Sequence, residues 1–318
     1  MGFRTTRATP RFRPAAWLPG LATLVLWHCL STPARADGAA FDAVLALLDD
    51  MEQAWSQVHD YTKLVDKTER LVNGKITEQT VFVKFRRPNQ FYMAVLEGAN
   101  KDGELIYPTR EGSELAVAHA GGFKGGLARF LQKTVILRKV VPTEFRLDDP
   151  SLGEWQHQVA TDASIGATNA RIAGNIRRAA EHGEGEIGLS DDCDNTGNCL
   201  LRLEFSFPAD VGESHVVLDG ENLWTIAEAY GRPMYVVWYN NPSVRGPRKV
   251  KAGETLFIPR YYAASGTVWV SPETLLPVHI EIFDANGELY ERYRYRDVQL
   301  NIGLTDLDFD PENPDYRF

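Results

Sequence analysis

The 318-residue chain carries 34 Lys and Arg against 43 Asp and Glu, with 44% apolar and 24% charged residues. That composition belongs to a globular protein and excludes a disordered, collagen-like or multi-span membrane chain. Residues 1–36 hold five Arg and no acid, so the remainder carries 29 basic and 43 acidic groups, a net charge of −14 that repels phosphate backbones and excludes nucleic acid as a partner.

Residues 1–13 bear Arg, residues 15–30 are apolar, and Ala34-Arg35-Ala36 presents small residues where a signal peptidase reads. This is the layout of a secretory signal peptide, with cleavage expected after Ala36. The apolar run is short for a membrane span and is broken by Pro19-Gly20. His28 stands where a lipobox needs a small residue, so Cys29 is expected to leave with the signal.

Phe41, Val44, Leu45, Leu48, Met51, Trp55 and Val58 recur at steps of three and four, which predicts an amphipathic helix packed on a sheet. From Tyr61 the texture becomes strand-like. Asn73-Gly74 divides 64–72 from 76–86 as a hairpin, and strands are predicted at 91–97, 104–108 and 114–119. Residues 152–180 return to Ala-rich helical spacing, ending in Gly183. Leu201, Leu203, Phe205 and Phe207 then alternate with polar residues, the two-residue period of a half-buried strand. Strands at 267–270, 278–283 and 288–300 close the chain.

Cys193 and Cys199 are the two cysteines of the exported part, and an even count there predicts a disulfide closing a small loop. Zinc would need further Cys or His ligands. Asp192-x-Asp194-x-x-Gly197 opens like a calcium loop, but Leu203 occupies the position that needs Glu. No metal and no cofactor is therefore expected.

Residues 214–262 differ in charge from their surroundings, with six basic and four acidic groups. The pattern reads strand, helix, helix, strand: His215-Val216-Val217-Leu218, a turn at Asp219-Gly220-Glu221, Asn222 as N-cap of a helix stopped by Gly231, a second helix at 234–239 ended by Asn240-Asn241-Pro242, and a closing strand through Leu256 and Ile258. This segment resembles a lysin motif (LysM) module. The resemblance rests on Val217-x-x-Gly220, Leu223-Trp224-x-Ile226-Ala227, Tyr230-Gly231, Asn241-Pro242 and Val250-x-x-Gly253-x-x-Leu256-x-Ile258-Pro259. It implies a groove for glycans containing N-acetylglucosamine, hence peptidoglycan as a partner, between Gly220, Glu221, Asn222 and Leu223 on one side and Asn240, Asn241 and Pro242 on the other. Gly220-Glu221-Asn222 departs from the family's usual Gly-Asp-Thr, and residues 243–249 lengthen one wall. Trp224 is expected to fill the module core.

The flanking parts, 37–213 and 263–318, are expected to form one host domain with the module, 214–262, inserted in a β hairpin, and residues 1–36 as the signal. The host resembles the LolA-like periplasmic proteins. The matching stretches are Tyr61-Thr62-x-x-Val65-x-Lys67-x-Glu69-Arg70, Val83-Lys84-Phe85-Arg86-Arg87-Pro88, Trp269-Val270-Ser271-Pro272-Glu273-Thr274, and Leu304-Thr305-Asp306-x-Asp308-Phe309-Asp310-Pro311 through Phe318. The resemblance implies an α+β fold, a curved antiparallel half barrel with packed helices, in the periplasm of a Gram-negative bacterium. Its concave face would take a lipid or an acylated protein. Alternation nominates Val81, Val83, Phe85, Leu201, Leu203, Phe205 and Phe207 for that face, or equally for a closed core.

Gly183-x-Gly185-x-x-Gly188 carries Glu184 and Glu186, which would repel a pyrophosphate, and reads as a loop. His residues are scattered, and neither HExxH nor Gly-x-Ser-x-Gly occurs. Arg292, Arg294 and Arg296 form a basic strip on one strand face. The chain is thus expected to be non-catalytic, binding peptidoglycan through the module and an apolar ligand through the half barrel. The alternatives are an adaptor docking another envelope protein, and a hydrolase with paired carboxylates.

Overall fold

The computed structural model describes residues 38–110, 112–119, 144–147, 157 and 164–318. The signal peptide, its cleavage site and the Gly121 to Gly126 loop lie outside them. Helix α1 (Gly38–Ser56) buries Phe41, Val44, Leu47, Leu48 and Met51. Helix α2 (Ile165–His182) starts at Ser164, whose side chain accepts from Ala167 N, and stops at Gly183 in the left-handed region. The two helices lie close because Gly166 has no side chain: a Cβ there would collide with the Trp55 indole. Arg177 ties them at the surface through Asp49 and Glu52.

The strands are β1 (Asp60–Arg70), β2 (Ile76–Arg86), β3 (Gln90–Gly98), β4 (Glu104–Tyr107), β5 (Leu115–His119), β6 (Glu144–Arg146), β7 (Glu186–Cys193), β8 (Cys199–Ser206), β9 (Gly212–Val216), β10 (Thr255–Pro259), β11 (Ser265–Val270), β12 (Pro277–Phe283) and β13 (Leu289–Leu300). Among the described residues, eleven form one antiparallel sheet in the order β6-β5-β4-β3-β2-β1-β13-β12-β11-β8-β7, and β9 pairs with β10 in a separate ladder. The large sheet is open, with β6 and β7 at its edges. Register shifts at Thr62/Leu64, Thr80/Val81, Trp269/Val270 and Ile282/Phe283 bend it. This is the open, helix-packed antiparallel architecture that the sequence implied. Strand β6 had no sequence signal. Strand β7 corrects the reading of 183–188 as a loop: Gly183 caps α2, while Gly188 already pairs with Glu204.

The inner face packs against α1 and α2 through Tyr61, Val83, Phe85, Leu203 and Phe205. The outer face of β2 and β3 is covered by the C-terminal tail. Lys84 meets Asp308 at 2.6 Å, Arg86 meets Asp306 at 2.5 Å, and Tyr92 stacks on Tyr316 at 4.0 Å. The Cys193–Cys199 disulfide closes the β7–β8 turn. Asp194 in that turn spends its carboxylate on Thr196 and Asn198, which hold its pKa down at about 2. Asp192 accepts from the Trp269 indole. Among the described residues no helix is long and apolar enough to cross a membrane.

Candidate functional site

Ser206 and Ser265 are ladder partners, and Phe207 N donates to Ala264 O, so the chain between them leaves and re-enters the sheet at one hairpin. Within it, helices α3 (Leu223–Ala229) and α4 (Met234–Tyr239) lie between β9 and β10. Asn222 caps α3 by accepting from Trp224 N and Thr225 N, and Thr225 completes a capping box. Glu221 accepts from Leu218 N and faces His215, both of which lower its pKa. The Asn241 amide is buried, donating to Val237 O and Phe257 O and accepting from Phe257 N. Trp224 is half-buried. Trp238 fills the core instead, its indole donating to Val244 O.

The seven nominated glycan residues therefore divide. Gly220, Asn240 and Pro242 are exposed, and Glu221 and Asn222 are partly so. Leu223 and Asn241 face inward and are corrected from contact residues to scaffold, because hydrophobic packing and three hydrogen bonds claim them. The two walls are joined directly, Leu223 N donating to Pro247 O at 2.9 Å. Beside the turn stand two apolar side chains in solvent, Val216 at 55% and Leu218 at 62% exposure.

A cleft of about 240 Å³ opens where this insert meets the sheet. Its walls include Tyr239 and Asn240 from the insert, Tyr261 and Tyr262 from the return to the sheet, and Asp284, Asn286 and Tyr290 from the β12–β13 turn. Tyr239 donates to Asp284 Oδ2 at 2.9 Å, and burial and that carboxylate push its phenol up to about 12. Tyr290 packs on Tyr239 at 4.7 Å and on His157 at 4.3 Å.

Beneath α2, the central strands β1 and β13 carry a polar row. Tyr293 Oη lies 2.7 Å from Glu69 and 3.1 Å from Glu291, and Tyr262 donates to Glu291 at 2.8 Å. His157 Nε2 donates to the Arg70 carbonyl at 2.7 Å, and Nδ1 faces the Glu291 carboxylate at 3.2 Å. Burial raises the Glu69 pKa, but Lys67, His157 and Tyr293 outweigh it and hold the carboxyl below its usual range. Lys63 is 1% exposed, its Nζ lies 3.7 Å from the Tyr295 ring centre and has no hydrogen-bond partner among the described residues, and burial lowers its pKa to about 7.

Val81, Val83, Phe85 and Leu203 are buried in the core, and Leu201 packs against it. Phe205 and Phe207 line a cavity of only about 30 Å³ between α2 and the sheet, with Ile280 and Ile282. That is space for a water.

A family model described as "Protein of unknown function (DUF1571)" matches residues 58–243 and 258–318. The chain belongs to the DUF1571 family. Among solved structures, it is similar to an uncharacterized conserved protein from Thermus thermophilus, at TM-score 0.38 and 8% identity over 86% of this chain and 97% of that one. It is also similar to a LolA superfamily protein from Nitrosomonas europaea, at 0.30 and 10% over 83% and 96%. A third is the Mycobacterium tuberculosis lipoprotein LppX, at 0.35 and 9% over 83% and 98%. No curated protein matches the sequence.

In this DUF1571 chain the sequence reading missed the buried polar row. Its signal was the alternation of Lys63, Lys67 and Glu69 on one strand and Glu291, Tyr293 and Tyr295 on another. The strip Arg292, Arg294 and Arg296 lies on the opposite, outer face, where Arg292 pairs with Glu281 and Arg296 with Asp66.

Proposed function

We propose that this protein is a non-catalytic binding protein of the periplasm whose insert holds peptidoglycan glycan and whose sheet is a rigid scaffold. The observation that carries the reading is the β9–α3–α4–β10 order, with Asn222 capping α3 and with Leu218, Asp219, Gly220, Asn240 and Pro242 exposed. Amide groups there suit acetamido groups, and the apolar pair Val216 and Leu218 suits the CH surface of a sugar. The buried carboxylates Glu69 and Glu291 are each engaged by protein partners, which argues for a structural use rather than hydrolysis.

The test is retention of the exported part, residues 37–318, on purified sacculi. Leu218→Asp with Pro242→Asp is expected to release it while leaving the fold intact. A wild type that passes through unretained overturns the glycan reading and favours an adaptor docking another envelope protein.

A second reading is that the half barrel takes a lipid or the acyl group of a partner. The apolar lining of Phe205, Phe207, Ile280 and Ile282 favours it. At about 30 Å³, that space admits an acyl chain only if α2 moves.

A further inference from the structure

The junction cleft is a built cavity that neither the insert nor the sheet possesses alone. We propose that it binds a single uncharged sugar ring, so that a glycan held by the insert is also read by the host domain. The proposal rests on the glycan reading above; the cleft shares Asn240 with the helix end nominated there, while its other walls lie outside that groove.

Size sets the first limit. At about 240 Å³ the cleft falls below the roughly 300 Å³ at which pockets for drug-sized ligands begin. It fits one ring rather than a chain. Charge sets the second. Among the described residues the lining contains the carboxylate of Asp284 and neither Lys nor Arg, so a phosphate or a fatty-acid carboxylate would meet repulsion there. A wholly apolar ligand fails on the third. It would strip water from the exposed amide of Asn286 and from the amide oxygen of Asn240, whose nitrogen donates to Val236 O, without replacing those hydrogen bonds.

What remains is a ligand with an apolar face and a polar edge. Tyr239 and Tyr262, which are partly exposed, supply aromatic surface for CH groups, and the buried Tyr261 and Tyr290 back the wall. Asp284 is oriented by its own turn, its Oδ1 accepting from Asn286 N and Glu288 N at 2.9 Å. Tyr290 adds an independent sign. It is 3% exposed, and among the described residues its hydroxyl has no hydrogen-bond partner. Buried polar groups are almost always paired, and an orphan one is costly. The hydroxyl has almost no accessible surface, so a hydroxyl or acetamido group of a ligand would supply the pair by displacing the wall that covers it.

The experiment is titration of residues 37–318 with the N-acetylglucosamine trimer, followed by the side-chain amide signals of Asn240 and Asn286. Ala285→Trp fills the cleft from an exposed turn position, and Tyr290→Phe keeps the ring while deleting the hydroxyl. The expected results are a loss of affinity of at least about tenfold for Ala285→Trp, and about fivefold for Tyr290→Phe, the worth of one hydrogen bond. Leu218→Asp is expected to leave the Asn286 response in place. Trimer binding that both cleft variants preserve and Leu218→Asp abolishes overturns the cleft while the glycan reading stands. Absence of binding by the wild type overturns both.

Discussion

His157 Nδ1 lies 3.2 Å from Glu291 Oε2, with both side chains out of solvent. The contact holds His157 at the centre of the sheet, against the β1–β13 pair. His157→Phe keeps the ring stacked between Tyr235 and Tyr290, each 4.3 Å away, but removes both hydrogen bonds. Breaking a buried pair from one side is expected to cost roughly 3 kcal/mol. Urea denaturation checks it, and a loss below about 0.5 kcal/mol, the range of ordinary surface substitutions, would show the pair to be idle.

Lys63 makes stability depend on pH in a stated direction. Its folded pKa is about 7 against an ordinary 10.5, because burial disfavours the ammonium. Between those values the unfolded chain keeps the proton and the folded one has lost it. This group therefore makes stability rise with pH by about 1.4 kcal/mol per unit, and contributes no slope below about 7. The advantage of Lys63→Met over wild type should be largest at about pH 6 and should shrink steadily by about pH 9.5. Urea midpoints of both proteins at three pH values decide it; a constant difference contradicts a buried, proton-losing Lys63.

The two asparagines of the insert should behave differently. Asn222→Ala removes a helix cap and is expected to cost about 1 kcal/mol. Asn241→Ala deletes three buried hydrogen bonds and leaves Phe257 N and two carbonyls unpaired, an expected loss of about 3 kcal/mol or more. Thermal unfolding measures both. Equal losses would mean that the Asn241 contacts carry no net stability.

The Cys193–Cys199 bond spans six positions at the tip of an edge hairpin. Replacing both with Ser should lower stability by about 2 kcal/mol, the modest end expected for a short loop. Hydrogen exchange should quicken in β7 and the adjoining turn and remain slow in β1 and β13. Acceleration at the sheet centre would contradict a local role.

Much of the fold was legible because its signals are local. Asn73-Gly74 placed the first hairpin, Gly74 does adopt a positive φ of 78°, and β2 runs over 76–86 as predicted. The strands and helices of the insert followed from a cap, a stop and a Pro. The polar row was not legible, because Lys63, Lys67 and Glu69 in alternation read like a solvated face. Only the packing of α2 decides which face is buried. The junction cleft draws its walls from four separate stretches, around 208–211, 239–240, 259–264 and 284–290, so no spacing in the sequence marks it.

The insert enters and leaves through one pair of neighbouring strands, a mounting that by itself would let it swing. Three further ties remove that freedom: Tyr235 holds Val72 N at 2.7 Å, Tyr239 holds Asp284, and Arg260 and Tyr261 both grip Glu184. A load applied to the insert is thus shared among the neighbouring β1–β2 and β12–β13 turns and the end of α2, and whatever grips the insert also sets the bearing of the whole scaffold, as a keyed shaft sets its wheel.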